Sequence, residues 1–85
     1  MGNRMILGIN VTERAKNAAD VQKILTEYGC FIRTRIGLHQ VTNEQCSPNG
    51  LIIIECFGNE RKCQMMEKKL AAIEGVEVQK MVFNE

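Results

Sequence analysis

Few residues in this chain could do chemistry. There are four cysteines, Cys30, Cys46, Cys56 and Cys63, one histidine, His39, and the arginines Arg14, Arg33 and Arg35 near loops or strand surfaces. Thiolates and imidazole bind zinc and related metals, and paired thiols can exchange electrons. No two cysteines have the Cys-x-x-Cys spacing of zinc knuckles, redox sites or metal carriers, so most of them read as small hydrophobes. Cys46 stands apart in the polar stretch Val41 to Gly50, a loop by composition, where its thiol is expected to be exposed. One histidine is too few for a metal site within a protomer. Cys46, Cys56 or His39 of a second copy could complete one at an interface, and His39 and Cys46 are the metal candidates; the plainer account of His39 is a polar residue at a strand end. No serine, cysteine or histidine has a base and an orienting carboxylate at recognisable spacing, so the chain reads as a non-enzyme that needs no cofactor.

The elements that must position these residues centre on Leu51–Phe57, an apolar, β-branched run between Pro48-Asn49-Gly50 and Gly58-Asn59, which reads as a strand. Ile52, Ile54 and Cys56 point one way and Leu51, Ile53 and Phe57 the other, so neither side is polar. Arg4–Asn10 is a second two-sided strand, with Gly8 on the side of Ile6, where a missing side chain lets a backbone or ligand approach. Cys30–His39 alternates instead, with Ile32, Thr34, Ile36 and Leu38 on one side and Phe31, Arg33, Arg35 and Gly37 on the other. Val76–Phe83 closes the chain as a fourth strand.

Two helices lie between these strands. Ala18, Val21, Leu25 and Tyr28 recur at intervals of three, four and three within a helix expected over about Glu13–Tyr28, capped by Thr12 and stopped by Gly29. Cys63, Met66, Leu70 and Ile73 repeat that spacing in a second helix over about Glu60–Glu74, with Asn59 as cap. A shift of 45 positions superposes the two sets, which makes the chain two βαβ halves. Right-handed crossovers put both helices on one face of a sheet whose first and third strands are central. The expected fold is α+β, ferredoxin-like βαββαβ, with a four-stranded antiparallel sheet and two helices on one face, forming one domain over residues 1–85.

Size and charge limit the partners. An 85-residue domain buries only about 60% of its unfolded surface, so it gains from association. A formal net charge of +1 with dispersed Lys and Arg gives no footprint for nucleic acid. No apolar run reaches the roughly 18 residues of a membrane span, and Met1-Gly2-Asn3-Arg4 lacks the core of a secretory signal, so a cytoplasmic location is expected. With helices on one face only, the other presents Ile6, Gly8, Phe31, Arg33, Leu51, Ile53 and Phe57, joined by Met81 and Phe83. Each large apolar side chain left in water forgoes roughly 1.5–3 kcal/mol. These residues are the expected interface of a homodimer or homotetramer formed through the open sheet face. Arg33 and Arg35 are expected on that face, where they could bind an anion or pair with Glu77 across the interface.

The chain resembles the ACT-domain group, and within it the short stand-alone proteins assigned as regulators of iron-only hydrogenase systems. The resemblance rests on Ile6-Leu7-Gly8-Ile9-Asn10-Val11-Thr12-Glu13-Arg14, on Ile32-Arg33-Thr34-Arg35-Ile36-Gly37-Leu38, on the apolar third strand and on Ala72-Ile73-Glu74-Gly75-Val76-Glu77-Val78. It implies a regulatory, small-molecule-responsive oligomer whose ligand is an amino acid or another small molecule. By position in the ACT fold it implies a ligand site at Asn10, Val11, Thr12 and Arg14, after the first strand, with Ile36, Gly37 and Leu38 on the second. ACT domains that bind amino acids commonly carry a glycine in that loop; here the nearest is Gly8, inside the strand.

Overall fold

The structure is a computed structural model that describes residues 4–12, 18–41 and 46–84. Its elements follow in the order β1 (Arg4–Val11), α1 (Ala18–Glu27), a 3-10 turn (Gly29–Phe31), β2 (Ile32–Val41), β3 (Cys46–Cys56), α2 (Glu60–Ala71) and β4 (Val76–Phe83). The strands form one antiparallel sheet in the order β2-β3-β1-β4, which is the βαββαβ ferredoxin-like arrangement, with the two strands that lack polar alternation in the middle.

The core lies between the helices and one face of the sheet. Met5, Leu7, Ile9 and Val11 of β1 and Ile54 and Cys56 of β3 meet Val21, Leu25 and Tyr28 from the first half and Cys63, Met66 and Leu70 from α2. The repeating intervals of the two helical stripes thus fill one layer, as their periodicity requires. Asn59 caps α2 by accepting a hydrogen bond at its Oδ1 from the Lys62 amide, 3.0 Å away. Gly75, with φ +82°, makes the turn into β4 in the left-handed region. Lys69 of α2 reaches Glu27 of α1 at 3.0 Å and lies 5.2 Å from the Tyr28 ring centre. Lys80, though on the helix side of β4, reaches Glu67 at 3.2 Å.

Four expectations change here. The stretch after His39 is not loop throughout: β2 runs to Val41 and β3 starts at Cys46, so the hairpin extends past the end of β1, whose last partner is Gly50. Pro48 is tolerated there because β3 has no neighbour on its second edge at that level. Gly29 does not end α1 in a left-handed turn; it opens the 3-10 turn. The onset of α1 at Glu13 lies outside the described residues. An irregularity between Ile32 and Thr34 inserts one residue into β2, and everything after it changes side. Ile32 packs on the core, while Thr34 and Ile36 lie opposite Glu55 and Ile53 on the open face. Arg35, opposite Ile54, is carried to the helix side, where its guanidinium bonds the Gln22 side chain of α1. Finally, Cys56 and Cys63 are not independent small hydrophobes: they form a disulfide, with Cα atoms 6.0 Å apart.

Candidate functional site

The open face can be read across the sheet in rows, from β2 through β3 and β1 to β4. Strand pairing places Leu38, Leu51, Asn10 and Glu77 in one row; Ile36, Ile53, Gly8 and Gln79 in the next; Thr34, Glu55, Ile6 and Met81 in the third. Arg4 and Phe83 stand opposite each other beyond these, with Phe57 following β3 at that end. Among the described residues no helix lies over these rows, because α1 and α2 both pack against the other side. Ile36 is 51% exposed, Met81 54%, Phe83 47% and Phe57 37%, and Ile6, Leu51 and Ile53 are half-buried.

Gly8 forms a notch in the middle of this surface. Among the described residues a Cβ built there would meet only the Gln79 carbonyl oxygen, at 3.9 Å, so the space is open within them. Beside the notch the surface turns polar. Asn10 is exposed, Glu77 faces it from β4, and Gln79 donates through Nε2 to a Glu77 carboxylate oxygen at 3.1 Å. An apolar floor of Ile36, Ile53 and Leu51 therefore adjoins an amide and a carboxylate. That combination suits a small molecule with an apolar body and a polar head, the general character of ligand sites.

At the opposite end of the face, Glu55 gathers charge. It lies 3.2 Å from Arg4 Nε and 3.8 Å from Arg33 Nη1, and Thr34 donates to it at 3.4 Å. Arg33 also stacks over Phe57, its guanidinium carbon 4.6 Å from the ring centre. Glu55 was not singled out in the sequence because it reads there as one acid within an apolar strand. Only the inserted residue in β2 brings Arg33 next to it. Arg33 thus has a carboxylate partner, Glu55, in its own protomer.

The residues carried over from the ACT resemblance are divided by the fold. Asn10 and Ile36 are on the open face, and Leu38 takes a register position in the same set, opposite Leu51. Val11 is buried in the core, and Gly37 pairs with Ile52 on the helix side. Thr12 ties the end of β1 to the turn before β4: its amide and its hydroxyl both donate to the Gly75 carbonyl, at 3.0 and 2.7 Å. Arg14 lies outside the described residues. Of the interface candidates, Ile6, Gly8, Leu51, Ile53 and Phe57 share the open face, with Arg33 beside Phe57. Phe31 instead packs against the core from the 3-10 turn, and its carbonyl accepts from the Phe57 amide at 2.8 Å. His39 stands in β2 opposite Gly50, and Cys46 opens β3 opposite Val41, so both belong to the extended hairpin. Among the described residues no three His, Cys, Asp or Glu side chains converge as metal ligands, and no helix is long and apolar enough to cross a membrane.

Comparison with known structures places the fold. The chain is similar to uncharacterized protein TM1266 from Thermotoga maritima, with a TM-score of 0.78 and 24% identity over 98% of this chain and 100% of that one. It is also similar to the ACT domain from the GTP pyrophosphokinase of Chlorobium tepidum, with a TM-score of 0.62 and 14% identity over 92% of this chain and 96% of that domain. No protein-family model and no curated protein matches the sequence. At these identities the likeness is one of architecture, and the fold of this chain is ACT-like.

Proposed function

We propose that this protein is a non-enzymatic regulatory module that works as an assembly of like copies joined through the open sheet face, and that it responds to a small ligand at the polar edge of that face. The observation that carries the reading is the exposure of Ile36, Phe57, Met81 and Phe83 around half-buried Ile6, Leu51 and Ile53 on a face without helices. Contiguous apolar surface of this kind marks a contact site, and an isologous pairing covers it without a second gene product. The ligand expected is an amino acid or a molecule of similar build. Its apolar part would lie over Leu51, its ammonium would meet Glu77, and its acceptors would meet the Asn10 amide. The resemblance to iron-only hydrogenase system regulators supports a regulatory role in such a system, exercised in the cytoplasm.

Thermal unfolding in the presence of individual amino acids, nucleotides and divalent metals tests the ligand. A compound that binds only the native state raises the melting temperature by mass action. The reading expects a shift with an amino-acid-like compound that Asn10→Ala or Glu77→Gln abolishes. If no compound shifts the melting temperature and a stoichiometric heterologous protein co-purifies, the chain is an adaptor whose open face docks on that protein. A shift with nickel or zinc that His39→Ala removes would make it a metal sensor.

A further inference from the structure

The disulfide between Cys56 and Cys63 takes no part in the assembly reading, and its surroundings are unusual for a purely structural bridge. Cys56 is the last residue of β3 and Cys63 lies in the first turn of α2; the turn between them passes through Gly58, at φ +93°. Both residues are almost fully buried, yet a cleft of about 120 Å³ reaches them, lined by Met5, Cys56, Phe57, Gly58, Asn59, Glu60 and Cys63. At Gly58, part of the cleft lining, an added Cβ would meet no heavy atom of the described residues within 4 Å. The bridge spans only 7 positions of sequence and joins two elements that also share the core. The fold therefore does not depend on the bridge to bring its two sulfurs close.

We propose that Cys56 and Cys63 form a thiol–disulfide exchange site, opened and closed by low-molecular-weight thiols that enter through this cleft while the protein stays folded. In the reducing direction, the thiolate of a small thiol bonds to Cys56 Sγ and the Sγ–Sγ bond breaks. Cys63 departs as a thiolate and takes up a proton. A second small thiol attacks the mixed disulfide and releases Cys56 as a thiol. Two electrons pass from two small thiols to the bridge, and one small disulfide leaves.

The test uses the full chain with Cys30→Ser and Cys46→Ser, which removes the other two thiols. The oxidised protein is equilibrated under native conditions with mixtures of reduced and oxidised glutathione, alkylated, and weighed intact. The expected result is a reversible gain of two alkyl groups as the buffer becomes reducing. The far-ultraviolet circular dichroism should be retained, and the melting temperature should fall on the order of 10 °C as an eight-residue ring is opened. Adding Cys63→Ser should leave Cys56 able to take up one glutathione from glutathione disulfide in the folded state. Phe57→Ala, which widens the cleft, should speed reduction several-fold. A bridge that resists reduction until denaturant is added, or cysteines that stay reduced in the folded chain under oxidising glutathione, would overturn the proposal. Failure of the protein to self-associate would leave it standing, since the alkylation, circular dichroism, melting and Cys63→Ser readouts do not depend on the open face; only the Phe57→Ala rate involves a residue of that face and is read on the dilute protomer.

Discussion

The fate of single residues here depends on which face of the sheet they occupy. Leu7 and Ile54 pair across β1 and β3 and are fully buried against the helices. Leu7→Ala should cost about 2–5 kcal/mol in denaturant unfolding, with the loss set by how far the core closes around the cavity. One position along, Gly8 faces the other way and predicts the opposite behaviour. Gly8→Ala meets no obstacle among the described residues, and it removes conformational freedom from the unfolded chain. The dilute protomer should therefore unfold no more easily than wild type, and could gain up to about 1 kcal/mol. The same methyl group fills the notch, so association measured at higher concentration should weaken at least several-fold. A variant that loses protomer stability instead would show that the notch is packed within its own chain.

Among the elements, the ends of α2 carry two tests. Asn59→Ala removes the side-chain acceptor for the Lys62 amide and should cost about 1 kcal/mol, read as a lower denaturant midpoint with unchanged slope. Lys69 has its pKa raised above its ordinary 10.5, first by its hydrogen bond to Glu27 and then by one to Tyr28. A raised pKa means the folded state holds the proton more tightly. The stabilisation is therefore complete below pH 10.5 and is lost as pH climbs through the folded value above it. Lys69→Met should differ from wild type by a constant amount between pH 7 and 10, and that difference should fade above 10.5. The pairing is on the surface, so the difference will be small.

The elements also show how far sequence pattern could reach. The helices were legible from their three-and-four spacing, β4 from its opening alternation, and β1 and the part of β3 over residues 51–56 as short apolar runs between turn signals. The faces of β2 were not: Ile32, Thr34, Ile36 and Leu38 alternate cleanly, and pattern alone puts all four on one side. The irregularity at Arg33 divides them, and its cause lies in pairing with β3, which no local alternation records. The extended hairpin was hidden for a related reason. Ser47, Pro48, Asn49 and Gly50 have the composition of a turn, yet they lie within β3, where Cys46 pairs with Val41 and Gly50 with His39. The disulfide was missed because Cys56 and Cys63 fit core positions equally well reduced or joined. Of the proposed ligand residues, Asn10 and Ile36 were placed by fold position, whereas Glu77 and Gln79 entered only through the cross-strand register that sets them beside the notch.

For the whole molecule, one layer of helices faces a sheet whose central strands are apolar on both sides. That asymmetry is the reason to expect assembly, and it makes the open face the place to break it. Ile36→Asp or Met81→Asp puts a charge on an exposed position away from the core, so folding should be nearly unchanged while association is lost. Sedimentation velocity of the wild-type chain across nanomolar to high micromolar concentration is the most direct measurement. A concentration-dependent shift from protomer to dimer or tetramer, abolished by Ile36→Asp, is the predicted result. A single protomer at every concentration, with wild type and variant indistinguishable, would contradict it.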